Sequence, residues 1–306
     1  MREIERFEGT DRYLLDPDLA QKFVISRALQ KPLLLEGEPG TGKTELAIQY
    51  AQHRGVQLYV FNCTSESEIA QLVSRYNSIL HFRDQQWDAF NLEAEAKGWD
   101  RRLDLQGRSV ERIDDYVTLM PLGQAYENPD SVLLLDEIDK VPRDFANSLL
   151  SYFSAREVII PETGRVIRPD YMPTVVITSN REQDLPKPLK ARCVYHFIAF
   201  PDAETMKKIV DLHHPEVDRK LVKAAIGVFY QLRELGLNSN LSTREMVEWI
   251  DCLNKAYSEI KPKELSQIPG DGVLFKSAED LPMLETIRRS GLEMAVAQSR
   301  QSRHRY

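Results

Sequence analysis

Cysteine is scarce in this chain. Cys63, Cys193 and Cys252 are the only three in 306 residues; no two of them form a CxxC pair, which argues against a disulfide framework and against a zinc site. Each is expected to be a small buried apolar residue. Long apolar runs are missing too, since pieces such as VLLL and VVI fall far short of the ~20 residues a membrane-spanning helix needs. The opening segment, MREIERFEGTDRY, is charged and lacks the apolar core of a signal peptide, so the cytoplasm is the expected location. Positive charge is not in excess. With 40 Lys and Arg against 47 Asp and Glu, the net charge of −7 argues against broad, sequence-independent nucleic-acid binding. The exception is IRRSGLEMAVAQSRQSRHRY, which carries five arginines and reads as a frayed basic tail. What remains, 42% hydrophobic and 28% charged, is the composition of a globular protein long enough for two domains.

Short apolar, β-branched-rich runs recur at 33–35, 58–61, 132–135, 175–178 and 194–197. They do not alternate, as expected of strands buried on both faces. Helical patterns separate them: Glu45 to Arg54, then IAQLVSRY after an acidic start, then RDFANSLLSYFSA. Strands alternating with helices predict an α/β fold, a parallel sheet sandwiched by helices with ligands at the carboxyl ends of the strands. Two stretches exceed a minimal sheet of this kind. Residues 84–130 form a long, charged, partly helical insert, and residues 157–168, EVIIPETGRVIR, read as a hairpin around a Glu-Thr-Gly turn. Beyond Pro201 the segments are helical, with stop signals at Gly236 and Pro262. A boundary at about residue 201 therefore separates a sheet domain, 1–201, from a smaller all-helical domain, 202–306.

Directly after the first apolar run, residues 37–44 read GEPGTGKT. Gly37, Gly40 and Gly42 lack a β-carbon, so the loop can turn its N–H groups inward and admit phosphate oxygens. Glu38, Pro39 and Thr41 complete the turn. Lys43 can reach the β- and γ-phosphates, and the Thr44 hydroxyl can ligate Mg²⁺ where a helix starts, followed by Glu45. This spacing is specific for a phosphate-binding loop.

The third apolar run ends LLLDEID. Asp136 is placed to hold Mg²⁺, directly or through a water, and Glu137 to orient and deprotonate a water for attack on the γ-phosphate. The fourth run ends ITSN, so Asn180 stands at a strand tip, where an amide can hold the water or the γ-phosphate without adding charge. Hydrolysis develops negative charge that an arginine can offset. Arg192 lies just before the last strand, and Arg244 follows the cap-like Ser242 and Thr243 in a first helical turn. A cation at that end opposes the helix dipole, which points to another partner such as the γ-phosphate.

With GEPGTGKT, LLLDEID, ITSN, LPKPLKARC and LSTRE in order across about residues 32–250, the chain resembles the AAA+ ATPases and, within them, the MoxR family. The resemblance implies a P-loop NTPase core followed by a helical lid. Gly37 to Thr44 would be Walker A, Asp136 and Glu137 Walker B, Asn180 sensor 1, Arg192 the arginine finger and Arg244 sensor 2, with ATP and Mg²⁺ as ligands. The stretch ending in Leu122, Gly123 and Gln124 resembles the helix-2 insert of that clade, and Pro161 to Val166 its pre-sensor hairpin. Ser-Thr-Arg stands here in place of the commoner Ser-Pro-Arg at sensor 2, which loosens the helix start. The resemblance further implies a homo-oligomeric ring, usually a hexamer, with ATP between subunits. It also implies a chaperone-like role on a protein client, often one carrying a von Willebrand factor A domain.

Two other classes stay open at this stage. One is a nucleic-acid-directed motor, clamp-loader-like or restriction-type, in which the insert or the Arg-rich end touches DNA. The other is a nucleotide-regulated binding module with little turnover. Guanine in place of adenine is also open, because no residue reads the base; by analogy, the segment DRYLLDPDLA passes near it.

Overall fold

The computed structural model describes residues 6–100, 102–257 and 259–303. Two short strands, β1 (Gly9–Thr10) and β2 (Tyr13–Leu14), pair antiparallel and lead into α1 (Pro17–Leu29), whose first N–H groups are accepted by Asp16. There follow β3 (Leu33–Gly37), α2 (Lys43–Arg54), β4 (Gln57–Asn62), α3 (Ile69–Val73), β5 (Ser74–Tyr76), α4 (Ser78–Lys97), β6 (Val117–Leu119) and α5 (Pro121–Glu127). The chain continues through β7 (Ser131–Asp136), α6 (Arg143–Ala155), β8 (Val158–Ile159), β9 (Val166–Ile167), β10 (Thr174–Ser179), α7 (Lys187–Arg192) and β11 (Val194–Ile198). Beyond Pro201 the regular elements among the described residues are helical: α8 (Ala203–His213), α9 (Arg219–Glu234), α10 (Thr243–Ala256), α11 (Leu281–Ser290), α12 (Leu292–Arg303) and short 3-10 turns.

The five apolar runs form one sheet in the order β11-β3-β10-β7-β4. Strand β7 pairs parallel on both sides, so Leu133 lies between Val175 of β10 and Tyr59 of β4. With helices joining the strands, this is the parallel α/β sheet of a phosphate-loop fold. Burial on both faces holds for the inner strands β3, β7 and β10. The outer two depart from expectation, since Val60 on β4 and Tyr195 and Phe197 on β11 are exposed. An edge strand has a neighbour on one side only, and its outward side chains are left to solvent.

Contacts divide the chain into two compact units, and the division passes inside β3 and β11 rather than at residue 201. Among the described residues the first unit comprises 21–34 and 54–195, and the second comprises 6–20, 35–53 and the chain from His196 onward. The first has its core around Leu34, Leu133, Leu135, Ile177, Phe145 and Leu149. The rings of Phe61 and Phe145 stack there with centroids 5.8 Å apart. The second is built on Met206, Phe229, Trp249, Ile250, Leu265 and Ile287. The buried Trp249 indole donates to the Pro269 carbonyl at 2.7 Å, which satisfies its one polar atom.

Two expectations need correction. IAQLVSRY is not one helix: α3 stops at Val73, and Ser74–Tyr76 pairs antiparallel with Val117–Leu119. The insert thus begins before residue 84, as a β5-α4-β6 excursion organised by a carboxylate. Asp84, fully buried, accepts from Arg108 Nε at 2.7 Å, Arg83 Nη2 at 2.9 Å and Tyr116 OH at 3.2 Å. The Arg108 hydrogen bond holds its carboxyl below the usual range against the opposing effect of burial.

The basic C-terminal stretch is not frayed. Through Arg303 it forms α11 and α12, which bury Leu284, Ile287, Leu292, Ala295 and Val296 in the second core. The sequence showed charge because the arginines occupy the outer face, where Arg288, Arg289 and Arg300 pair with Asp271, Glu285 and Glu234. Arg305 lies outside the described residues.

Candidate phosphate loop and acidic strand end

In the second unit, β3 ends at Gly37 and α2 begins at Lys43, so residues 38–42 are the turn between them. Gly40 (φ 72°) and Gly42 (φ 85°) sit in the left-handed region that favours glycine. A Cβ at Gly37 would meet the Ile198 carbonyl at 2.5 Å, one at Gly40 would meet Ser242 Oγ at 2.1 Å, and one at Gly42 would meet the Tyr13 ring at 3.3 Å. The loop is therefore a cradle that only glycine permits at these points. Lys43, 5% exposed, donates to the carbonyls of Gly37 and Glu38 at 2.9 and 2.7 Å, while Thr41 Oγ1 donates to Glu38 at 2.9 Å. Thr44 follows in the first turn of α2, and Glu45 accepts from Gln49 at 2.7 Å.

The same unit supplies the start of α10. Ser242 caps it in a reciprocal box with Glu245, whose carboxylate accepts the Ser242 N–H at 3.1 Å. The serine in contact with Gly40 thus holds the helix start that carries the exposed Arg244. The capping box closes this start without the proline of the commoner motif.

In the first unit, β7 ends at Asp136 and β10 at Ser179. Thr178 links the two strand ends: its hydroxyl donates to Asp136 Oδ1 at 2.6 Å and accepts the Glu137 N–H at 2.8 Å. Glu137 adopts φ 59°, ψ 49°, an uncommon conformation for a residue with a side chain. Its carboxylate is gripped at both oxygens, by Asn180 Nδ2 at 3.0 Å and Lys140 Nζ at 2.5 Å. The bond to Glu137 pushes the Lys140 pKa up. Asp139, buried, accepts the N–H groups of Asn180 at 3.2 Å and Glu182 at 2.9 Å, which fixes the backbone that presents Asn180. Nearby Cys63 is buried, and burial, reinforced by the charge of Asp136, pushes its thiol up to about 12. Burial does the same to Cys193, also up to about 12, which leaves both as inert apolar residues.

The first unit therefore brings Asp136, Glu137 and Asn180 together, and the second brings Gly37, Glu38, Pro39, Gly40, Thr41, Gly42, Lys43 and Thr44 together with Ser242. Arg192 joins neither group. It is exposed, donating from Nε to Ser154 Oγ at 2.9 Å and from Nη1 to the Pro188 carbonyl at 3.3 Å. The glycine cradle fits phosphate, and the Thr44 hydroxyl and Asp136 carboxylate are the hard oxygen donors that suit Mg²⁺.

The AAA domain family, dynein-related subfamily, matches residues 32–193, more than half of the chain. The chain belongs to that family. The AAA match begins just before β3 and ends just after α7, so it spans the phosphate loop, the insert, the acidic strand end and Asn180. Among solved structures, the chain is similar to the Thermotoga maritima RuvB Holliday junction branch migration motor, at 18% identity, covering 92% of this chain and 78% of that one, with a TM-score of 0.46. Two single-site variants of the same RuvB match at 18% identity with TM-scores of 0.49 and 0.48, covering 92% of this chain and 80% and 79% of theirs. No curated protein sequence matches.

Sequence reading overlooked several members of these AAA sites. Lys140 and Asp139 had a signal, because they follow Glu137 within one helical turn. Thr178 had one as well: two residues before Asn180 on a strand, it faces the same side. Arg233, which pairs with Glu38 at 2.8 Å, had none, since 195 residues separate the two.

Proposed function

We propose that this AAA-family chain binds and hydrolyses ATP, and that it works as a MoxR-type, ring-forming remodeller of a partner protein. The observation that carries the hydrolytic reading is the grip of Asn180 on Glu137. Held at one oxygen by this amide and at the other by Lys140, the carboxylate keeps a fixed direction and unused lone pairs with which, in this reading, it takes a proton from water. In this reading the phosphate loop and Lys43 would hold the phosphates, and Thr44 and Asp136 are the oxygen donors that would hold Mg²⁺, whose charge would offset that of the phosphates. Glu137 takes the proton of a water whose oxygen bonds to the γ-phosphorus as the bond to the β–γ bridging oxygen breaks, releasing ADP and phosphate. Asn180 orients that water, Arg192 offsets charge at a neighbour's site, and Arg244 reports the γ-phosphate to the helical region.

The remodelling part rests on the motif set, the insert and the β8-β9 hairpin. Apolar exposure supports a protein client: Ile79 and Phe82 on α4 are 83% and 63% exposed, and Ile159 on the hairpin 50%. Exposed side chains of this kind match protein contacts better than a phosphate backbone. No helix among the described residues is long and apolar enough to cross a membrane. The test is capture by Glu137→Gln protein in ATP, in which slowed turnover holds the client. Recovery of a defined protein, foremost one with a von Willebrand factor A domain, supports the reading; recovery of DNA alone sinks it in favour of a nucleic-acid motor.

A further inference from the structure

Glu38 puts a carboxylate inside a loop built to receive phosphates, where an uncompensated negative charge would repel them. Its Oε2 accepts from Arg233 Nη2 at 2.8 Å. Arg233 lies in the last turn of α9 and is itself fixed. Its guanidinium lies 3.5 Å from the centroid of the Phe200 ring, and its Nη1 donates to the Leu241 carbonyl. Leu241 immediately precedes Ser242, the residue that touches Gly40 and caps the helix carrying Arg244. One side chain thus reaches both the phosphate loop and the start of α10. As a half-exposed ion pair, with side chains 24% and 51% exposed, it adds little to folding stability. Its consequence falls on what the loop binds.

We infer that Arg233 is a positioning residue for nucleotide: it neutralises Glu38 in the phosphate loop and ties the loop to the start of α10, so that affinity depends on the pair. The inference rests on the ATP reading above. Arginine suits this double task because its planar fork donates to two acceptors while its face stacks on a ring.

The test measures binding of a fluorescent ATP analogue with Mg²⁺ to the full chain as wild type, Arg233→Met, Glu38→Gln and the double variant, with melting temperature as a folding control. Arg233→Met is expected to weaken binding about tenfold, the scale of one unit charge at a partly screened site. The double variant is expected to return to within about threefold of Glu38→Gln alone, because the charge that needed neutralising is gone. Arg233→Lys, which keeps the charge but not the fork that also holds the Leu241 carbonyl, should fall between wild type and Arg233→Met. A double variant as weak as Arg233→Met would show that Arg233 acts only through its packing on Phe200 and Leu241, and would overturn the proposal. Wild-type protein that binds no analogue at all would instead overturn the ATP reading beneath it.

Discussion

Asn180 Nδ2 donates to Glu137 Oε1 at 3.0 Å, across the ends of two neighbouring parallel strands. The bond sets which way the carboxylate points, and Lys140 holds its other oxygen from the following 3-10 turn. Asn180→Ala should therefore lower ATP turnover by about a hundredfold while changing nucleotide affinity much less, since the bond it removes is to the proposed base and not to the phosphates. Steady-state phosphate release alongside equilibrium binding checks this. A turnover within threefold of wild type would remove Asn180 from the catalytic set.

Gly40 has no room for a side chain. Gly40→Ala combines a left-handed backbone with a Cβ that would sit 2.1 Å from Ser242 Oγ. Either the loop or the start of α10 must shift, and both carry proposed nucleotide contacts. Binding of ATP should fall by more than tenfold, with about 1–3 kcal/mol lost from stability by the strain. Calorimetric titration and a thermal melt read the two effects separately.

Arg192 is exposed and donates to Ser154 of α6. In a ring it is free to serve a neighbour. Arg192→Ala should bind nucleotide and turn it over slowly, and mixing it with Glu137→Gln protein should restore part of the rate. Wild-type activity per chain that is unchanged at any dilution would contradict action between subunits.

Asp280 anchors the loop that leads to α10. Nearly all its acceptor capacity is used: Asn238 donates its N–H at 2.8 Å, and Ser239 donates its N–H at 2.7 Å and its hydroxyl at 2.6 Å. Burial opposes the charge, yet the Ser239 and Asn238 hydrogen bonds prevail and hold the carboxyl below its ordinary 3.8. A depressed folded pKa contributes stability that is present above 3.8 and is lost as pH falls through the folded value. Melting temperature should thus drop below about pH 4 in wild type, and less steeply in Asp280→Asn. At neutral pH that variant should lose about 2 kcal/mol, because an amide strands one of the donors.

The sheet was legible in the sequence because five short apolar runs, each followed by a helical period, admit few other arrangements. The phosphate loop and LLLDEID were legible because their chemistry is local in sequence. The insert was read less well. Ser74–Tyr76 looked like the end of a helix because its partner, Val117–Leu119, lies far along the chain. The C-terminal arginines drew attention to charge, while the buried Leu284, Ile287 and Val296 at helical spacing carried the structure. Long-range pairs such as Glu38 with Arg233 leave no periodic trace at all.

The central claim is that Glu137, held by Asn180, is the base of an ATP-hydrolysing site. Phosphate release by wild-type and Glu137→Gln protein, measured with ATP binding on the same samples, tests it most directly. The account predicts that the variant keeps ATP affinity within a few fold and loses at least about a hundredfold in turnover. Equal turnover in the two proteins, or wild-type protein that binds ATP and never releases phosphate, would contradict it.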